Sequence, residues 1–212
     1  MNEGVPLLTV TGASGGAGAT TVALHLALAL RRRRPCLVDL AGGLAERLGF
    51  AADRSHWGRS LEPLPFPGGL AVLAAPRPFV PPDDPGGLVA AAPGGVVLAD
   101  VAPELLAGLP VPQRLIVVVA RSRPGAERAR ALLDALAPRV PVVAVTIRRP
   151  PAGGATRAEV ERILGLRLAA DLPYCPAMAE AEQAGRAETK PWSRWWWGVG
   201  ALARRLEVEA HG

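Results

Sequence analysis

A chain of 212 residues, half of them hydrophobic and 20% charged, has a mean hydropathy of +0.22; it is long enough for one domain with a sizeable core and too apolar to be disordered throughout. The net charge of +5 and a pI near 10.4 fit ordinary solubility or an anionic partner such as nucleic acid, acidic lipid or acidic protein. Two cysteines outside any metal-ligand spacing, three scattered histidines and no apolar run of membrane-spanning length speak against a disulfide scaffold, a zinc site or a transmembrane protein.

The first predicted element is a strand at 6–11 within MNEGVPLLTVTG, a stretch lacking the basic and apolar regions of a signal peptide, so a cytoplasmic chain is expected. It runs into GASGGAGATTVALHLALAL (12–30), a glycine-rich loop opening a helix predicted over 18–33. Glycines at 15, 16 and 18 let backbone N–H groups converge on a phosphate at the positive end of the helix dipole. Thr20 stands at the Ser/Thr position of G-x-x-x-x-G-K-[ST], where a hydroxyl ligates Mg²⁺, but Ala19 fills the lysine slot and Lys190 is the only lysine in the chain. Four arginines (31–34) close that helix, where cations complement the dipole, and Pro35 stops it; contact with a phosphate backbone or acidic partner is the other reading of this run.

Strands follow at 36–40 (CLVDL) and 96–100 (VVLAD). Between them, residues 51–95 are Pro/Gly-rich and read as a crossover with a strand at 70–75 embedded in it. Asp39 and Asp100 close strands at the carboxyl edge, where open α/β sheets bind ligands. Each acid is read either as a group that positions Mg²⁺ and water or as a framework carboxylate that caps backbone or pairs with arginine. Further strands are predicted at 114–120, 140–147 and 166–172, and helices at 124–138, 155–164 and 176–185. Thr156 followed by Glu159 has capping-box spacing. Arg121 and Arg123, just past the fifth strand, are candidates to replace the missing lysine; the alternative is that both are solvated surface residues.

The last element, a Trp-rich helix over 193–207, has Ser193 as its N-cap and one face carrying Trp192, Trp195, Trp196, Val199, Leu202 and Leu206. Arg194, Arg204 and Arg205 lie opposite, with Trp197 among them. Packing on the sheet, membrane contact and protein contact are the alternatives, and Trp195, Trp196 and Trp197 are the candidate partner-binding residues. Strands apolar throughout and alternating with helices predict one α/β domain over 1–212, a three-layer fold with a mostly parallel sheet of about seven strands and helices on both faces.

Set end to end, these motifs resemble the MinD/ParA family of deviant P-loop ATPases. SGGAGATT (14–21) aligns with that family's x-K-G-G-x-G-K-T-T; the signature lysine falls on Ser14 and the loop lysine on Ala19. CLVDLAGGLAERLGF (36–50) matches the second strand, with Asp39 at its first acidic position and Ala41 at its second. GLAVLAAP (69–76) is similar to the third strand, and GGVVLADVAPEL (94–105) to the Walker B strand, with Asp100 and Pro103 in place. LIVVVARSRPGAERARALLDAL (115–136) is like the fifth strand and its helix, and GLRLAADLPYCPAMAEAEQAG (165–185) like the closing segment. In VVAVTIRRP (142–150), Thr146 or Arg148 stands where an asparagine helps hold adenine. Alanine in the lysine slot is most similar to the CpaE/TadZ branch, associated with assembly and polar placement of Tad-type pili.

The resemblance implies a nucleotide loop at Gly15, Gly16, Ala17, Gly18, Ala19, Thr20 and Thr21, Mg²⁺ at Thr20, Asp39 and Asp100, and ATP or ADP as a weakly held cofactor. Cationic clamps contribute on the order of 10³–10⁵ in rate to phosphoryl transfer. Without either lysine, the expected function is a pseudo-ATPase scaffold or spatial-organisation factor. The alternatives are a slow ATP-dependent positioning ATPase and a nonspecific DNA-associated module. A homodimer, or a heterodimer with a lysine-bearing paralogue, is implied. So are protein partners of an assembly system and, as further partner classes, nonspecific DNA or the inner face of the membrane.

Overall fold

A computed structural model of the chain describes residues 5–44, 47, 70–73, 83–90, 92, 95–136, 140–148, 154–183 and 193–209. Seven strands form one sheet: β1 (Leu7–Gly12), β2 (Pro35–Leu40), β3 (Ala71–Leu73), β4 (Val96–Val101), β5 (Arg114–Ala120), β6 (Val142–Ile147) and β7 (Leu168–Leu172). Their spatial order is β3-β2-β4-β1-β5-β6-β7, and every pairing is parallel. The expected mostly parallel sheet is therefore parallel throughout. Val, Ile and Leu at nearly every position of β4 and β5 let both faces of these strands bury apolar surface.

Helices supply that cover. On one face lie α1 (Ala19–Ala29) and the C-terminal helix; Leu24, Leu26 and Val22 pack with Trp195, Val199 and Leu202 over β1, β4 and β5. Helix α1 is buried almost all round, from Thr21 to Leu28, which is why its residues show so little polar face. The opposite face divides in two. Helices α3 (Arg123–Leu136) and α4 (Arg157–Leu164) cover β5 to β7, and α2 (Pro85–Ala90) with the 3₁₀ segment Pro103–Gly108 covers β2 to β4. Helix α5 (Pro176–Gln183) follows β7, and α6 (Arg194–Glu209) ends the described chain.

Two expectations change. The first helix stops at Ala29; Arg31–Arg33 form a 3₁₀ turn and Arg34 adopts a left-handed φ of 50°. Pro35 disfavours α geometry in the residue before it, so the arginine run sits in a turn at the amino edge of the sheet instead of in a last helical turn. Within the Pro/Gly-rich crossover, α2 forms where no helix was expected. Asp84 caps it, its Oδ1 accepting from Gly87 N at 2.7 Å, and Val89 is buried beneath it, which outweighs the poor propensity of two glycines. Of this crossover, 51–69, 74–82, 91, 93 and 94 lie outside the described residues. The cap at Thr156 is made, with Oγ1 accepting from Glu159 N at 3.2 Å.

Candidate functional site

The loop leaving β1 is held from both ends. Ala13 N donates to Val118 O of β5 at 3.2 Å, and Ala17 N donates to Ser14 O at 3.1 Å. Gly16 and Gly18 take positive φ, 73° and 95°, a bend that Cβ-bearing residues resist, and Gly18 is the N-cap of α1. The open amides of that helix end face a cavity of about 450 Å³. Residues 12–20 form one wall, Asp100, Pro103 and Glu104 form another, and Arg47 also lines the space. The predicted loop residues Gly15, Gly16, Ala17, Gly18, Ala19 and Thr20 all line it. Thr21 does not: it is buried in α1 and accepts from Arg47 Nη1 at 3.0 Å.

Asp39 and Asp100 face each other in register across β2 and β4, both buried, with opposite surroundings. Asp39 Oδ1 accepts from Ala41 N (3.2 Å) and Gly42 N (2.7 Å), and Oδ2 from Leu44 N (2.9 Å). It caps the turn after β2, the framework reading of the two open to it. Asp100 has neither oxygen in a hydrogen bond. Burial pushes its carboxyl up to about 7, with the Asp39 charge adding to the rise. The Thr20 hydroxyl and the Arg47 guanidinium oppose the shift, the hydroxyl standing close without meeting hydrogen-bond geometry.

An orphaned buried carboxylate beside a hydroxyl is a hard-oxygen donor set that fits Mg²⁺, and Thr20 with Asp100 would hold it. There the ion would restore the charge on Asp100 and polarise a phosphoryl oxygen. Among the described residues no group of three or more His, Cys, Asp or Glu side chains gathers as a metal cage.

The two arginines that were candidates to replace the lysine lie away from the cavity. Arg121 pairs with Asp171 at 2.9 Å and donates to Ala155 O at 3.1 Å; Asp171 also accepts from Thr146 Oγ1 at 2.8 Å. Arg123 is exposed and pairs with Glu127 one turn along α3. Neither lines the cavity. Arg47 does, and sequence reading missed it. The signal was its position eight residues past Asp39, just beyond a strand end, but only the strand order shows that this strand end lies beside the loop.

Away from the cavity, His25 in α1 is fully buried, its Nδ1 donating to Thr21 O at 2.8 Å; a carbonyl only accepts, so Nδ1 carries the proton. The edges of Trp195 and Trp196 meet it with ring centroids at 5.6 and 5.4 Å. Trp195, expected at a partner surface, is instead core, 2% exposed, because its large apolar face closes over α1. Trp196 is half-buried and Trp197 is 70% exposed. Trp192 lies outside the described residues. Ser193 is the cap expected, with Oγ accepting from Trp196 N at 3.3 Å. No helix among the described residues is long and apolar enough to cross a membrane. Cys36 is buried and Cys175 half-buried, both as free thiols.

No family model and no curated protein matches this sequence. Solved structures do. A chain of the MinC:MinD cell division protein complex of Aquifex aeolicus superposes with a TM-score of 0.76 at 17% identity, over 96% of each chain. A ParA family ATPase from Chlorobium tepidum gives 0.76 at 20% identity, over 94% of this chain and 99% of that one. The septum site-determining protein MinD of Pyrococcus horikoshii, complexed with Mg-ADP, gives 0.74 at 17% identity over 97% of each. At such identities the likeness is one of fold: this chain has the three-layer, parallel-sheet architecture of the MinD and ParA P-loop structures.

Proposed function

We propose that this chain is a MinD/ParA-type pseudo-ATPase: it binds Mg-nucleotide weakly, does not turn it over at a useful rate, and acts as a dimeric scaffold in spatial organisation. One observation carries the reading. The loop keeps its left-handed glycines, helix N-terminus, Thr20 and Asp100 around a cavity large enough for a nucleotide's phosphates, while Ser14 and Ala19 occupy the two slots where the family places lysines. Backbone donors hold phosphate in the ground state, but the charge that develops during transfer needs cations aimed at it. The MinD and ParA structures of like fold belong to cell-division and ParA-type ATPases, which supports a role in positioning. Alanine in the lysine slot favours the CpaE/TadZ-like branch, hence placement of a pilus or another polar assembly.

Calorimetric titration with Mg-ATP, paired with a phosphate-release assay, tests the reading. Binding without turnover above the buffer rate is expected. Turnover at the rate of lysine-bearing ATPases would replace it with the slow positioning-ATPase reading, and absence of binding would leave the fold without its nucleotide.

A further inference from the structure

We propose that Arg47 is the phosphate-binding cation of this site, reaching the β1–α1 loop from the segment after β2 and engaging a ligand that carries two or more linked phosphates. The inference rests on the reading that the loop holds phosphate, and it names the side chain that makes such binding workable.

The electrostatics favour a side-chain cation here. One wall of the cavity carries Asp100 and Glu104, and the loop facing them offers backbone dipoles but no charged side chain. A helix N-terminus contributes about half an elementary charge, to which a side-chain cation adds a full one toward a polyanion. Arg47 is the single cationic side chain among the described residues lining the cavity. Its guanidinium is oriented: Nη1 donates to Thr21 Oγ1 at 3.0 Å, on the first turn of the helix whose amides face the ligand space.

The planar fork of donors suits phosphate better than a lysine placed at this distance, because two N–H groups reach adjacent oxygens together. The cavity volume of about 450 Å³ exceeds that needed for a lone phosphate.

The test titrates the full chain with Mg-pyrophosphate and separately with Mg-ADP, for wild type, Arg47→Ala, Arg47→Gln and Arg47→Lys, and for Arg47→Ala combined with Ala19→Lys. Loss of a charged hydrogen-bond donor weakens binding by about ten- to a hundredfold. That drop is expected for Arg47→Ala and Arg47→Gln with both probes, with partial recovery in Arg47→Lys and in the Ala19→Lys double variant. Arg47→Gln keeps an N–H for Thr21, so it reports on charge even where Arg47→Ala unfolds in a thermal melt. Equal losses for the two probes place recognition on the phosphates; a much larger affinity for Mg-ADP adds a contribution from the nucleoside without removing that of Arg47. Wild-type binding left within twofold by both neutral variants overturns the role of Arg47 while sparing the loop. Wild type that binds neither probe overturns the phosphate reading itself.

Discussion

Asp39 and Asp100 share a register position on adjacent strands, and each has a separate consequence. Asp39 satisfies three backbone N–H groups, so Asp39→Ala leaves buried donors without an acceptor and is expected to destabilise the fold by about 3 kcal/mol or more, read from urea denaturation. Asp100 acts through its proton. Its carboxyl is raised from 3.8 to about 7, so between those values the folded state holds a proton that the unfolded chain has already released. Fewer protons bound in the unfolded state means stability falls as pH rises through that window and levels off above it. The whole drop amounts to a few kcal/mol. Asp100→Asn is expected to flatten this slope in denaturation series from pH 4 to pH 8, whatever its offset in absolute stability; an unchanged slope refutes the assignment.

At the scale of elements, α6 shows how one helix is divided. Trp195, Val199, Leu202 and Leu206 recur at helical spacing and close over α1, while Trp197 points away from that seam. Trp195→Ala removes a core side chain and is expected to cost about 3–5 kcal/mol in chemical denaturation. Trp197→Ala, at a position 70% exposed, is expected to stay within about 0.5 kcal/mol. Comparable losses for both would mean the exposed indole is also structural. The face carrying Trp195 was legible from periodicity, whereas its status as core was not: the same amphipathic pattern serves a membrane, a partner or the protein's own sheet. The loop before α1 behaves in the same way. Gly18→Ala places a Cβ at φ 95° and is expected to destabilise by about 1–2 kcal/mol and to weaken Mg-ADP binding, both read on one purified variant.

For the molecule as a whole, strand order decides the chemistry available. With β4 between β1 and β2, the ends of β4 and β2 gather beside the loop, so Asp100, the Asp39 turn and Arg47 meet there. If the fold is intact and only its two lysines are missing, Ser14→Lys with Ala19→Lys should raise phosphate release from ATP on the order of 10³-fold above the parent chain. A double variant that binds Mg-ATP and still fails to release phosphate would show that the site has diverged beyond its loop.

Local chemistry alone determined the seven strands, the glycine bend before α1, the caps at Thr156 and Ser193, and the missing loop lysine at Ala19, because each depends on neighbours within a few residues. Tertiary structure decided which of two similar aspartates is spent on backbone and which stands unpartnered. It also turned Arg121 toward Asp171, sank Trp195 into the core and carried Arg47 to the cavity. Those outcomes depend on which strand ends become neighbours, and periodicity along a chain carries no record of order across a sheet.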